Sequence, residues 1–394
     1  MMNEEISRAD LSRFQRWALI VAGLAIVLSA IGGFLNPEQF FHSYLYAFLF
    51  WLGITLGSVA VLMLHHLVGG LWGFVIQRVL ETAARLLPLM ALLFIPIILG
   101  LPSLYEWTHG EAGEIAALRH KSAYLNVPFF LVRAVVYFAI WTLLAYLLAR
   151  WSRQVDETGN TALVTKMERL SGPGLVIYGV TMTFAAVDWV MSLEPEWYST
   201  IFGMAFLVGQ GLSALCFAVI VTWSLADRKP LADVVTRKQF HDLGNLLLAF
   251  VMLWAYIAFS QFLIIWSGNI PEEAVWYQHR LHGGWEWVAL ILITLHFGVP
   301  FLVLLQSRAK KRAGILSKIA IGLLVLRLVD LYWIVAPSLH TEGLSLHWLD
   351  VVTPAAIGGV WLAAFAWQLK STALLPVRDP RLVEALSYRE EVAL

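Results

Sequence analysis

Residues 43–66 read SYLYAFLFWLGITLGSVAVLMLHH, an apolar run with no Asp, Glu, Lys or Arg that ends on His65 and His66. A helix crossing a hydrocarbon core of ~30 Å needs about 20 predominantly apolar residues, and this run supplies them. A membrane β-barrel would show shorter segments of alternating polarity instead. Gly53, Gly57 and Ser58 add a small-residue ridge suited to close helix packing.

Nine more runs of the same kind flank it, at about 17–34, 75–100, 127–149, 173–192, 198–224, 243–267, 285–306, 316–336 and 348–369. With 59% hydrophobic and 14% charged residues over 394 positions, the chain cannot be an ordinary soluble globule. The expected class is an all-α polytopic membrane protein with ten transmembrane helices. The first span follows a polar segment and lacks a small-residue cleavage site, so it reads as a retained helix.

Basic residues decide orientation. Arg8, Arg13, Arg16, Arg150, Arg153, Lys166, Arg169, Arg228, Lys229, Arg237, Lys238, Arg308, Lys310, Lys311, Arg312, Lys318, Lys370, Arg378, Arg381 and Arg389 fall on one side, twenty in all. Arg119, Lys121 and Arg280 are the three on the other. Both termini are therefore expected in the cytoplasm, and the split supports an even number of spans. Trp107, Trp189, Trp197, Trp266, Trp276, Trp285, Trp287, Trp333 and Trp348, with Tyr198, cluster at outer span ends, as an interfacial aromatic belt would.

Ionisable residues within spans are the strongest lead to function. A charge such as Arg133, Asp188, Arg327 or Asp330 costs about 2.5–3.5 kcal/mol at a helix centre on insertion scales. The outer-half set comprises Arg133, Asp188, Gln261, Glu286, Arg327 and Asp330, with His296 deeper. Arg327 and Asp330 are spaced i, i+3 and can pair on one helix, and Arg133 can reach Asp188 from the preceding span. Without such an Arg partner, Asp188 would be a candidate proton carrier. These side chains also suit a quinone head group, whose carbonyls need donors, although transporters use the same residue types. The inner-half set is His65, His66, Arg78, Glu81 and Arg85, a candidate polar path whose plainer interpretation is interfacial anchoring. One internal echo joins Asp188 to Asp330 and Pro195 to Pro337, each pair 142 residues apart. It is either a parallel duplication of four-helix units or chance.

Other chemistries find little support. Cys216 is the one cysteine, too few for an iron-sulfur cluster, a c-type haem or an internal disulfide. Bis-histidine haem needs histidines at matched depth on facing helices, which His65, His66 and His296 do not offer. His279 and His282 lack a zinc-site pattern, and no P-loop, dinucleotide fingerprint or nucleophile elbow occurs in its required context.

Five segments together resemble one family: LGITLGS (52–58), HKSAYLNVPFFLVR (120–133), DWVMSLEPEWYSTIFG (188–203), AYIAFSQFLIIWSGNIPEE (255–273) and RLVDLYW (327–333). They resemble the F subunit of bacterial alternative complex III, a quinol:electron-acceptor oxidoreductase unrelated to the cytochrome bc1 complex. The likeness runs from about 45 to 335. It implies a fold of the polysulfide-reductase type (NrfD-like), with a first flanking helix at 17–34, four-helix bundles at 43–192 and 198–336, a last helix at 348–369 and a cytoplasmic tail at 370–394. It also implies partners: a homologous NrfD-like membrane subunit, an iron-sulfur/molybdopterin-like subunit and c-type cytochromes, which would carry the haem and iron-sulfur centres. No nucleic acid is expected. In that setting the chain would be a scaffold with a proton route or quinone contact through Asp188, Arg133, Gln261, Arg327, Asp330, His296 and Glu286. A proton-coupled secondary transporter and a purely structural membrane anchor are the alternatives.

Overall fold

The computed structural model describes residues 2–109, 120–379, 381–383 and 386–387, with side chains from residue 10 onward. Arg119 and Arg389 lie outside the described residues, as does the Arg8 side chain. Among the described residues ten helices are long and apolar enough to cross a membrane. Spans 1 to 5 are Asp10–Leu35, Pro37–Val68, Leu71–Leu99, Val127–Thr158 and Ala162–Leu193. Spans 6 to 10 are Phe202–Leu225, Arg237–Gly268, Trp285–Leu304, Ala313–Ser338 and Leu349–Lys370.

Local chemistry sets the ends. Asn36 and Asn126 cap spans 2 and 4, their side-chain oxygens accepting from Gln39 N at 3.2 Å and Phe129 N at 3.0 Å. A Pro in the first turn of each loses nothing, because that N–H has no intrahelical partner. Thr236 and Gln239 form a reciprocal capping box on span 7. Gly159, at φ +70°, ends span 4 by donating its N–H to Val155 O at 2.8 Å.

Two spans are interrupted, each beside proline. A Pro at position i removes the hydrogen bond to the carbonyl of residue i−4. Pro88, Pro96 and Pro102 accordingly divide the third span and its extension into Leu71–Ala84, Leu87–Leu93, Ile95–Leu99 and Leu101–Leu104. In span 8, Pro300 leaves the His296 carbonyl without its α-helical donor, and Leu292–Gly298 winds as a π-helical turn. The connection between spans 3 and 4 begins as the short helix Leu101–Leu104 and the 3₁₀ turn Glu106–Thr108.

Spans 2–5 form one four-helix group and spans 6–9 another, joined where span 2 packs along span 6. Spans 1 and 10 pack on each other and on span 2 as a flanking pair. The span 2–span 6 contact is tight: a Cβ on Gly57 would lie 1.9 Å from the Gln210 carbonyl oxygen. Gly359 plays the same part in the flanking pair, where a Cβ would come within 2.8 Å of the Ala22 backbone. Cys216, on span 6, is fully buried.

The aromatic belt needs correction. Trp266, Trp287 and Trp348 are exposed and fit it, whereas Trp107, Trp189, Trp197, Trp276 and Trp285 are buried. Trp189 packs against Phe94, Phe138 and Trp141. These side chains hold bundles together rather than meeting lipid.

Candidate functional site

Span 5 carries Asp188 into the first bundle, completely buried. Arg133 on span 4 meets it in a two-point grip, Nε to Oδ2 at 2.8 Å and Nη2 to Oδ1 at 2.9 Å. The Tyr137 hydroxyl donates to Oδ2 at 2.8 Å. The remaining guanidinium nitrogen, Nη1, donates to Tyr124 O at 2.9 Å, and Cζ lies 3.9 Å from the Tyr124 ring centroid. Charge-assisted bidentate pairs are the strongest hydrogen bonds of their class, and this one leaves the carboxylate closed. The lone Asp188 that would have carried protons is therefore not the arrangement found.

The second bundle treats its counterpart differently. Arg327 and Asp330 form the i, i+3 ion pair on span 9, and Trp254 Nε1 on span 7 donates to the same Asp330 oxygen at 3.1 Å. The Arg327 guanidinium lies against span 6 at Gly209, where a Cβ would sit 2.3 Å from Cζ. His296, in the π-helical turn of span 8, stacks parallel on Trp254 with ring centroids 4.5 Å apart. It is completely buried, and neither ring nitrogen has a hydrogen-bond partner among the described residues. Asp330 and Arg327 both act on it electrostatically.

The other residues of the outer set lie elsewhere. Gln261 accepts weakly from Ser199 Oγ at 3.4 Å, and Glu286 accepts from Gly284 N at 2.9 Å at the start of span 8. Gln261 also neighbours Tyr277, whose hydroxyl pKa burial raises. Tyr277 lines a shallow apolar cleft of about 160 Å³ with Phe262, Ile265, Trp266 and Leu281, where Asn269, Gln278 and His282 supply polar groups.

On the basic face, span 3 presents Arg78 and Glu81, both buried and paired at 2.7 Å. Arg78 also pairs with Asp156, and donates to Ser152 at 3.0 Å. Gln77 Nε2 donates to Glu81 Oε1 at 2.8 Å. His66 has two buried ring nitrogens without partners and feels the charge of Glu81. Next to it, His65 Nε2 accepts from Arg381 Nη1 at 2.7 Å. Arg381 grips Asp379 through Nε at 2.8 Å and Nη2 at 2.6 Å. Arg85 is half-exposed at the end of the stripe, and its guanidinium has no pairing partner among the described residues.

Three groups were not singled out from the sequence. Asp350 on span 10 accepts from Ser43 Oγ at 2.6 Å and Gln39 Nε2 at 3.2 Å on span 2, with His42 and His340 edge to face nearby. Gln39 and Ser43, spaced i, i+4 on one face of an apolar helix, were the legible sign. Arg280, fully buried, joins Glu194 at 2.8 Å to Ile334 O at 2.6 Å and Ser338 Oγ at 2.8 Å. It ties together the ends of spans 5 and 9, the two helices of the 142-residue echo. Asp379 and Arg381 sit in a tail whose composition alone gives no hint of docking.

Neither charged group fits a quinone head as it stands, because Arg133 and Tyr137 occupy both Asp188 oxygens and at His296 the ring is enclosed. Among the described residues no three His, Cys, Asp or Glu side chains are arranged to hold a metal ion. No protein-family model matches the chain, and no curated protein matches it.

Proposed function

We propose that the chain is an integral membrane subunit of a quinol-oxidising respiratory complex, acting as a scaffold and handling protons around His296 and Asp330. The family resemblance supplies the complex; the contrast between the two buried aspartates supports the proton role. Asp188 has its charge matched by Arg133 and its oxygens taken up. His296, by contrast, is a buried base with two free nitrogens beside a carboxylate, and π-helical turns occur disproportionately at functional sites. A buried group left without partners has to be accounted for, and a proton shared with water between His296 and Asp330 would account for it. On the basic face His66 and Glu81 form a second station of the same kind.

Any quinone contact is better suited to the cleft beside Tyr277, with its apolar walls and polar rim, than to either ion pair. Electrons would pass through partner subunits.

Two experiments test this. Purification from the native membrane is expected to bring along multihaem cytochrome and iron-sulfur subunits; a stable monomer without them removes the complex. In the assembled complex, His296→Ala is expected to lower quinol turnover or proton movement about 100-fold or more, in the range that a lost proton-transfer group gives. Wild-type turnover and proton movement in that variant would remove the proton role.

The closed Arg133–Asp188 pair specifically favours a second reading, a structural anchor. On that reading substitutions at His296 change neither coupling nor turnover, and those at Asp188 change only assembly.

A further inference from the structure

The connection between spans 8 and 9 carries Arg308, Lys310, Lys311, Arg312 and Lys318, and no acidic residue occurs in 307–318. Lys310 differs from the rest. It is buried, its Nζ donates to Asn245 Oδ1 at 2.6 Å, and its stem lies against Gly244 of span 7, where a Cβ would approach Lys310 Cγ to 2.7 Å. The short helix Ser307–Lys310 is thereby pinned to span 7. Arg308, Lys311, Arg312 and Lys318 are exposed, and no side-chain hydrogen bond or ion pair engages them among the described residues.

These four cations stand at the ends of apolar stripes. Leu302, in the last turn of span 8, and Leu305 just beyond it are 62% and 54% exposed, and Arg308 lies in the short helix that follows the extended Gln306. Ile321 and Val325 follow Lys318 by three and seven residues on span 9, so the three share one helix face. Spans 8 and 9 are neighbours. Such an array matches a molecule with a negative head and two apolar chains. A soluble anion would leave the stripes bare, and a neutral lipid would leave the cations unmatched.

We propose that this loop and its stripes form a binding site for an anionic phospholipid of the leaflet on the basic face. The phosphate sits among Arg308, Lys311, Arg312 and Lys318, and the acyl chains lie along Leu302–Leu305 and Ile321–Val325. Lys310 preorganises the site by holding the loop in place, which lowers the ordering cost of binding. Basic pockets between transmembrane helices are known to bind acidic head groups. Two other basic residues of the same face are already engaged: Arg228 pairs with Asp10, and Arg378 donates to Glu157 O.

The test uses the full chain in phosphatidylcholine bilayers containing trace spin-labelled phosphatidylglycerol or spin-labelled phosphatidylcholine. The protein is expected to immobilise the labelled phosphatidylglycerol several-fold more than the labelled phosphatidylcholine. Lys311→Gln/Arg312→Gln/Lys318→Gln, all exposed positions, should remove most of that preference. Arg150→Gln/Arg153→Gln, near the end of span 4 on the same face, should keep it. Equal immobilisation of both lipids by the wild-type chain overturns the proposal, as does an equal loss in the control variant. Complete displacement by inorganic phosphate at constant ionic strength overturns it too, by making the site one for a soluble anion.

Discussion

Asp188 and Asp330 hold the same charge on spans 5 and 9, yet their surroundings give them different work. Removing one partner of a buried ion pair strands the other, at a cost of about 3–5 kcal/mol. Asp188→Ala is expected to destabilise the protein by that amount, because Arg133 keeps its charge and loses both acceptors. Asp188→Asn, which preserves shape and one acceptor, should cost clearly less. Thermal unfolding followed by the loss of monodisperse protein checks the order, and two equally stable variants would count against the pair as a structural element. Much of this was legible beforehand: Arg327 and Asp330 are neighbours on one helix by spacing alone, and Arg133 and Asp188 lie at matching positions on consecutive helices. Tyr137, Trp254 and Asp350 were not. Their partners are 51, 76 and 311 residues away, and pairings of that kind depend on helix rotation, which an almost uniformly apolar span does not encode.

Among elements, the contact between spans 2 and 6 is the joint of the molecule. Gly57→Ala would force a methyl into the Gln210 carbonyl, and overpacking of this sort costs about 1–3 kcal/mol. The expected result is a lower unfolding midpoint, whereas Gly23→Ala, with open space around it, should leave the midpoint unchanged. Equal midpoints in the two variants would remove the joint from the account. The ridge at Gly53, Gly57 and Ser58 announced close packing, whereas the breaks in span 3 emerge only in the structure, at Pro88, Pro96 and Pro102. The π-helical turn had a weaker sign, Pro300 four residues after His296. A missing donor says that the helix must adjust, but the neighbouring helices decide whether it kinks or widens. Exposed and buried tryptophans proved inseparable in the sequence, because both kinds lie near span ends.

At the scale of the whole molecule, the chain's last described stretch closes back on its first bundle. Val377 N donates to Asp156 Oδ1 at 3.0 Å, Arg378 reaches Glu157 O at 2.7 Å, and Arg381 joins Asp379 to His65. Burial alone would raise the Asp379 carboxyl, but hydrogen bonds and charge from Arg381 outweigh it and hold the pKa below its ordinary 3.8. A depressed folded-state value means that Asp379 contributes fully above the ordinary value. Its contribution is lost as pH falls through the lower one. The Arg381 amide, which donates to Asp379 Oδ1 at 2.9 Å, should therefore show exchange protection, corrected for intrinsic rate, at neutral pH that fades under strong acid and that Arg381→Ala reduces. Undiminished protection in that variant would sever the link between the salt bridge and the docked tail.

Cys216 has a practical consequence. As the sole thiol, completely buried on span 6, it is shielded from aqueous maleimide reagents in the folded protein. A cysteine introduced beside Tyr277, in the 307–318 loop or on the tail would then be the one group to take a fluorophore or spin label. Distances between such probes can be measured in the native background, without first engineering a cysteine-free parent.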